Sequence, residues 1–284
     1  MEKTPLFSVL IANYNNGKYL QEAVDSVLAQ TYTNWEIIIV DDKSTDNSAE
    51  VYNQYKDDSR FHIYFNDKNE GCGYTKRRCA ELAQGDICGF LDPDDTLTED
   101  ALEKHIKVHS SQPKVSVIYS RCYYRDNKGK IIGENRLLQL NNKESYFDYR
   151  WYGAMHFASY KNDFYKKTEG ISPFIKAGVD QDLYFKIEEV GEIYVLNDFT
   201  YNYFQRNPNA ITKNDVDLWY WNLEVRRATC KRRCLDESLL REDWKYMFEC
   251  IKKDASFEKE QQIHSSKAYR LGKFLLKPFS LIRR

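Results

Sequence analysis

Apolar runs and amphipathic stripes alternate along the first third of the chain. Residues 7–12 (FSVLIA) are almost continuously apolar, the pattern of a strand covered on both faces. Apolar pairs then recur every four residues, at Tyr19/Leu20, Ala23/Val24 and Val27/Leu28, which predicts a helix burying one stripe. Residues 35–40 (WEIIIV) read as a second buried strand ending in Asp41 and Asp42. Ser44, Thr45 and Asp46 offer N-caps for a helix reaching about residue 55. A strand over 61–65 and a helix over 74–83 follow, the helix carrying Lys76, Arg77 and Arg78. Residues 87–91 form a fourth strand that runs directly into Asp92-Pro93-Asp94-Asp95. Thr96-Leu97-Thr98-Glu99 then reads as a capping box ahead of a helix to about residue 109.

Strand and helix in turn, with short connections, predict an α/β fold with a doubly wound, mostly parallel sheet flanked by helices. Such sheets bind ligands beyond the carboxyl ends of their strands. Three of the four strands end in polar clusters, at Asn13-Tyr14-Asn15, Asp41-Asp42 and Asp92 to Asp95. Right-handed crossovers put these ends on one edge, so acids far apart in sequence are expected to converge.

The alternation breaks down after a strand over 115–124 and a turn at Asp126-Asn127-Lys128-Gly129. Residues 133–173 read as irregular and aromatic-rich. A helix over 180–190 and strands over 193–196 and 200–204 come next, and from 215 the pattern is helical throughout. A boundary near Asn214 divides the chain into residues 1–214, an α/β domain, and 215–284, a helical C-terminal extension.

Charge and cysteine content narrow the function. Forty-two basic residues against 43 acidic ones leave a net charge of −1, so no whole-molecule field points towards nucleic acid. No run approaches the ~20 apolar residues of a membrane span, and the polar residues 1–5 predict no secretory leader. The 7 cysteines are odd in number and contain no CxxC pair, which predicts neither a disulfide framework nor a zinc site. A reduced cytoplasm is the simplest compartment.

Carboxylates on a tight turn at a strand end suit a hard divalent cation such as Mg²⁺ or Mn²⁺, with a diphosphate completing the shell. The alternative is a solvated turn that caps the next helix. Pro93 stiffens this turn, and Asp41 and Asp42 are expected on the same edge. Like charges so close repel unless a cation joins them.

The segment FSVLIANYNNGKYLQEAVDSVLAQTYTNWEIIIVDDKSTDNS resembles the opening of the inverting family 2 glycosyltransferases, whose fold is called GT-A. NEGCGYTKRRCAELAQGDICGFLDPDD is similar to that family's second segment and ends in its DxD. The resemblance is strong over residues 5–125, looser to about 212, and does not cover the C-terminal helices. It implies a metal-dependent transfer of a sugar from a nucleotide-diphosphate donor, UDP-linked by first expectation, to a saccharide or lipid-linked saccharide acceptor, in surface polysaccharide synthesis. It also implies residue roles. Ala12 and Tyr14 cradle the base, Asp42 contacts base or ribose, Asp94 binds the metal, and Asp92 lies nearer the ribose and diphosphate. Asp95 is a weaker candidate, and Asp41 is equally a cap or a structural acid. The family's basic residue on the third helix falls at Lys76, where this sequence departs from the family pattern. The donor-side cation therefore stays open between Lys76, Arg77 and Arg78.

Inverting transfer needs one general base for the acceptor hydroxyl. Gly178-Val179-Asp180-Gln181-Asp182-Leu183 is similar to the family's E-D-x-D-L segment, with Val179 in place of the Glu. Asp180 and Asp182 are both candidates, and helical register separates them. Asp180 shares a face with Leu183 and Ile187. Asp182 falls with Lys186 and Glu189 on the polar face, where an i,i+4 ion pair would occupy it. Register favours Asp180 as the base. Asn207 stands where relatives carry a metal-binding His, and His156 reads as a partly buried histidine or an acceptor-facing one.

Residues 267–284 (KAYRLGKFLLKPFSLIRR) carry six basic side chains and no acid, with apolar residues interspersed. The pattern fits an interfacial segment on anionic lipid, or a helix packed on the domain. Membrane contact would place the protein peripherally on the cytoplasmic face. Two rival functions remain at this level. A nucleotidyltransferase would want a Gly-rich phosphate loop, whereas Asn13 to Gly17 supplies one Gly. A non-catalytic nucleotide-sugar-binding protein would show no donor hydrolysis.

Overall fold

The computed structural model describes residues 4–135, 145, 147, 156–205 and 215–254. The chain divides into two compact units, residues 1–208 and 209–284.

The first unit begins with β1 (Phe7–Asn13), α1 (Gly17–Leu28), β2 (Trp35–Asp41), α2 (Ser48–Tyr55), β3 (Phe61–Phe65), α3 (Cys72–Leu82) and β4 (Ile87–Phe90). It continues with β5 (Thr96–Leu97), α4 (Ala101–Ser111), β6 (Val115–Arg125), β7 (Ile131–Glu134), β8 (Ala158–Lys161), α5 (Asn162–Tyr165), α6 (Val179–Glu188) and β9 (Glu192–Phe204). One nine-stranded sheet runs β3-β2-β1-β4-β8-β6-β9-β5, with β7 paired to β6. The half from β3 to β4 is parallel, as the buried apolar strands require. The other half is mixed: β8 runs antiparallel to both β4 and β6, and β9 runs parallel to β6.

Helix stripes seal the sheet. Leu20, Ala23, Val24 and Val27 of α1 pack with Val9, Ile11, Ile37 and Ile39, all fully buried. Burial of each Val, Leu or Ile side chain among them contributes roughly 1.5–3 kcal/mol. The ends of β1, β2 and β4 lie side by side, since Asn13 pairs with Asp41 and Leu10 with Phe90. That rim carries the polar clusters.

Several elements differ from the sequence expectation. Residues Thr96–Leu97 do not cap a helix but pair with Tyr201 and Asn202 of β9, and α4 starts at Ala101. Asn47 holds the N-cap position of α2 without a side-chain bond, and of the expected caps only Asp46 serves the helix, its Oδ1 accepting Ser48 N–H at 3.0 Å. Ser44 and Asp46 also tie the loop after β1, Ser44 Oγ accepting from Asn15 N–H and Asp46 from Gly17 N–H. The expected strands 193–196 and 200–204 are one strand, β9, with the pairing register shifting between Tyr119 and Cys122 of the neighbouring β6. Strand β8 falls in the region expected to be irregular.

The second unit contains α7 (Asp215–Arg232), a 3₁₀ turn at Glu237–Leu240 and α8 (Arg241–Asp254). Arg226 and Asp243, both buried, pair between α7 and α8 at 3.4 Å, and Trp219 meets Tyr246 edge-on. Asn207, most of the aromatic segment before His156 and the basic segment 267–284 lie outside the described residues. Among the described residues no helix is long and apolar enough to cross a membrane, and Cys72, Cys79, Cys88, Cys122, Cys230 and Cys234 are free thiols.

Candidate active site

The acidic turn after β4 is held from three sides. Asp92 N–H donates to the Tyr201 hydroxyl at 3.2 Å. Arg125, at the end of β6, donates to the Asp94 carbonyl at 2.7 Å and pairs with Glu22 of α1 at 2.9 Å. Asp95 is buried and accepts Phe204 N–H at 2.6 Å, which closes the turn onto the end of β9. Burial, with Asp94 and Asp92 nearby, pushes the Asp95 carboxyl well above the usual carboxylate range. Asp95 is thus a clamp of the turn, and Asp92 and Asp94 are its two presented acids. Neither Arg125 nor Tyr201 carries a local sequence signal for this task, because both reach the turn only through strand pairing.

The two acids after β2 take different parts. Asp41 is buried among Asn13, Ser44 and Tyr52, accepting the Tyr52 hydroxyl at 2.6 Å and Ser44 N–H at 2.8 Å. It is a structural acid, one of the two readings open from sequence. Asp42 is also buried and accepts Asn66 Nδ2 at 2.7 Å with Glu70 and Gly71 N–H, each at 2.8 Å. Its carboxylate therefore shapes the loop that leads into α3. Tyr14 stands 47% exposed at the end of β1, beyond the half-buried Ala12.

Lys76 joins the rim to α6. Its ammonium, on a side chain only 6% exposed, lies 3.0 Å from Asp92 Oδ1 and 2.9 Å from Asp180 Oδ1. Phe90 lies beneath it, with the ring centroid 5.2 Å from Nζ. Burial alone would lower the Lys76 pKa, yet Asp180 and Asp92 outweigh it and hold the amine well above the usual range. Burial alone would likewise raise Asp92, and Lys76 and His156 outweigh it, leaving that carboxyl below its ordinary value. Arg77 and Arg78 turn elsewhere: Arg77 bonds Glu169 and Ile171 carbonyls, and Arg78 bonds the Phe65 carbonyl. Of the three basic residues on α3, Lys76 is the one at the acids.

Asp180 reaches this cluster and Asp182 does not. Asp182, 1% exposed, accepts Ser172 N–H and the Lys186 ammonium, each at 2.8 Å. The expected i,i+4 pair is present, but the face that carries it is interior rather than solvated, with Lys186 only 4% exposed. His156 is buried, its ring stacked on Tyr201 and Tyr203 at centroid distances of 5.1 and 5.9 Å.

Among the described residues no three His, Cys, Asp or Glu side chains gather closely enough to hold a metal ion by themselves. The acidic turn offers oxygen donors only, with Asp92 and Asp94 presented beside the buried Asp95. That donor set fits a hard cation that takes the rest of its shell from a phosphate-bearing ligand.

A model of Glycosyl transferase family 2 matches residues 8–169, which include all of β1 but its first residue, the acidic turn and α3. The chain belongs to this family. The chondroitin synthase of Escherichia coli is 29% identical over 220 residues, covering 76% of this chain and 31% of that one. The chondroitin synthase of Pasteurella multocida is 30% identical over 215 residues, covering 75% of this chain and 22% of its own length. The chain therefore spans a third or less of the length of these two relatives. Residues 1–349 of S. aureus TarS, solved in complex with UDP-GlcNAc, superpose with a TM-score of 0.70 at 17% identity, over 94% of this chain and 79% of that one. That likeness assigns the GT-A fold, with its mixed sheet flanked by helices.

Proposed function

We propose that this chain moves a sugar from a UDP-linked donor to a hydroxyl of a saccharide or lipid-linked saccharide, with inversion, in the synthesis of a surface polysaccharide. The supporting observation is the meeting of Asp180 with Asp92 through one ammonium, which sets a carboxylate from α6 beside the acidic turn. Neighbours and relatives lend the substrate class: TarS was solved with UDP-GlcNAc, and two relatives are named for chondroitin synthesis.

In this reading Ala12 and Tyr14 border the nucleoside with Asp42, and the exposed Tyr14 ring stacks on the base, worth about 1–3 kcal/mol. Asp94, with Asp92 beside it, would hold a Mg²⁺ or Mn²⁺ ion that neutralises charge developing on the leaving diphosphate. Asp180 accepts the proton of the acceptor hydroxyl while that oxygen forms its bond to the anomeric carbon. The anomeric bond to the diphosphate breaks at the same time, and its electron pair departs on UDP. One displacement inverts the centre, so a single carboxylate base suffices. Both acids pair with a lysine, but the Asp182 side chain is 1% exposed against 21% for Asp180, so an acceptor hydroxyl has access to Asp180 and not to Asp182. An acceptor at a lipid surface would also give the basic segment 267–284 a place to act, on the cytoplasmic face of a membrane.

Asp180→Asn tests the assignment. UDP release from UDP-GlcNAc in Mn²⁺ should fall roughly 10²–10⁴-fold, the usual worth of a general base, while UDP affinity stays within about threefold. Loss of turnover and of UDP binding together would contradict the role given to Asp180.

A further inference from the structure

We propose that Lys76 is a positioning residue that acts through Asp180, holding the base at a fixed distance from the donor-side acid. This rests on the reading of Asp180 as the base. One buried nitrogen lies within 3.0 Å of carboxylate oxygens from two elements, β4's turn and α6. The helices that carry the pair share a frame. Gly73 N–H of α3 donates to the Ile175 carbonyl at 3.1 Å, and Arg77 bonds the Glu169 and Ile171 carbonyls. From α6, Asp182 accepts Ser172 N–H, and Lys186 bonds the Gly170 carbonyl and Ser172 Oγ. Residues 169–175 are thus gripped from both sides, by one backbone bond from α3 and by side chains of both helices, and this shared segment sets the spacing of Lys76 and Asp180.

The same geometry argues against Lys76 as a mobile cation for the donor diphosphate. Two of its three N–H groups are committed. Swinging away would leave Asp92 and Asp180, with side chains 30% and 21% exposed, facing each other without the counter-charge that now joins them. A Lys that stays in place instead keeps the two carboxylates from repelling apart, which fixes the acceptor oxygen's approach to the donor.

The experiment is steady-state UDP release from UDP-GlcNAc in Mn²⁺, with UDP affinity measured separately by calorimetry, for K76M, K76R, D180N and the double variant. K76M should lower kcat at least 100-fold with KM and UDP affinity within threefold. The double variant should be no slower than D180N, because a residue acting through Asp180 has nothing left to lose. K76R, which keeps the charge, should retain at least a tenth of wild-type kcat. K76Q replaces K76M should the latter fail to fold, and the cycle is read the same way. A tenfold or larger rise in KM or UDP dissociation with kcat kept, in K76M, K76Q or K76R, overturns the proposal in favour of a donor-binding lysine. Multiplicative losses in the double variant also overturn it. Full kcat in K76M beside a crippled D180N removes the role of Lys76 and leaves the base standing. Full turnover in D180N removes the base, and this assignment with it.

Discussion

Asp180 and Asp182 stand two residues apart on α6 and meet different surroundings. Helical register set them on different faces and foresaw the Asp182–Lys186 pair, although it is Asp182 rather than Asp180 that lies in the interior. What register could not show was that α6 is covered on nearly every side, so the pair lies in the interior and grips residues 170–172. Asp95 was illegible for a similar reason. Its partners Tyr201 and Phe204 lie more than a hundred residues on and arrive through β9. The buried His105 and His109 carried no sequence signal either. Both contact Ser159 Oγ, at 2.7 and 2.9 Å. Burial, with Lys104 near it, pushes His105 down to about 3; burial, with His105 and Lys161 near, takes His109 well below its usual value. The folded protein thus keeps both rings neutral, while the unfolded chain protonates them near pH 6.5. As pH falls below 6.5 the unfolded state takes up protons the folded state refuses, and stability drops by about 1.4 kcal/mol per pH unit per ring. Denaturant midpoints between pH 7.5 and 5 should show this loss, and His109→Gln should shallow the slope. A stability that is flat across that window in the wild type would contradict the account.

Elements were legible where one physical pattern dominated. The strands β1, β2 and β4 are buried on both faces, and their apolar runs announce it. The break inside β9 has a cause in pairing: Val195 and Phe199 sit opposite Tyr119 and Arg121, so residues 196–198 bulge and the alternation changes phase. Strand β5 hid inside a genuine Ser/Thr-and-acid pattern, because two residues are too few to show a period. Strand β8, four residues long, has the same problem. The contact of α3 with residues 172–175 depends on Gly73, where an added Cβ would lie 2.4 Å from the Ile175 carbonyl oxygen and 2.8 Å from that of Ser172. Both obstacles are backbone and cannot rotate away. Gly73→Ala should therefore cost about 1–3 kcal/mol of stability and lower kcat by moving Lys76 off Asp180. A variant with wild-type melting temperature and turnover would show that this contact does not set the site.

At the scale of the molecule, the parallel half of the sheet performs the convergence that strand order predicts. It brings residues 13, 41 and 91 to one rim, where the polar clusters at 13–15, 41–42 and 92–95 follow. The mixed half adds what sequence patterning missed, with Arg125 and Phe204 pinning the acidic turn from the far strands. Amide hydrogen exchange with and without UDP and Mn²⁺ tests this arrangement most directly. The account predicts slowed exchange at residues 12–15, 41–43 and 91–95 together, weakened in Asp94→Ala. UDP that binds without protecting residues 91–95, or that protects only segments away from this rim, would contradict it.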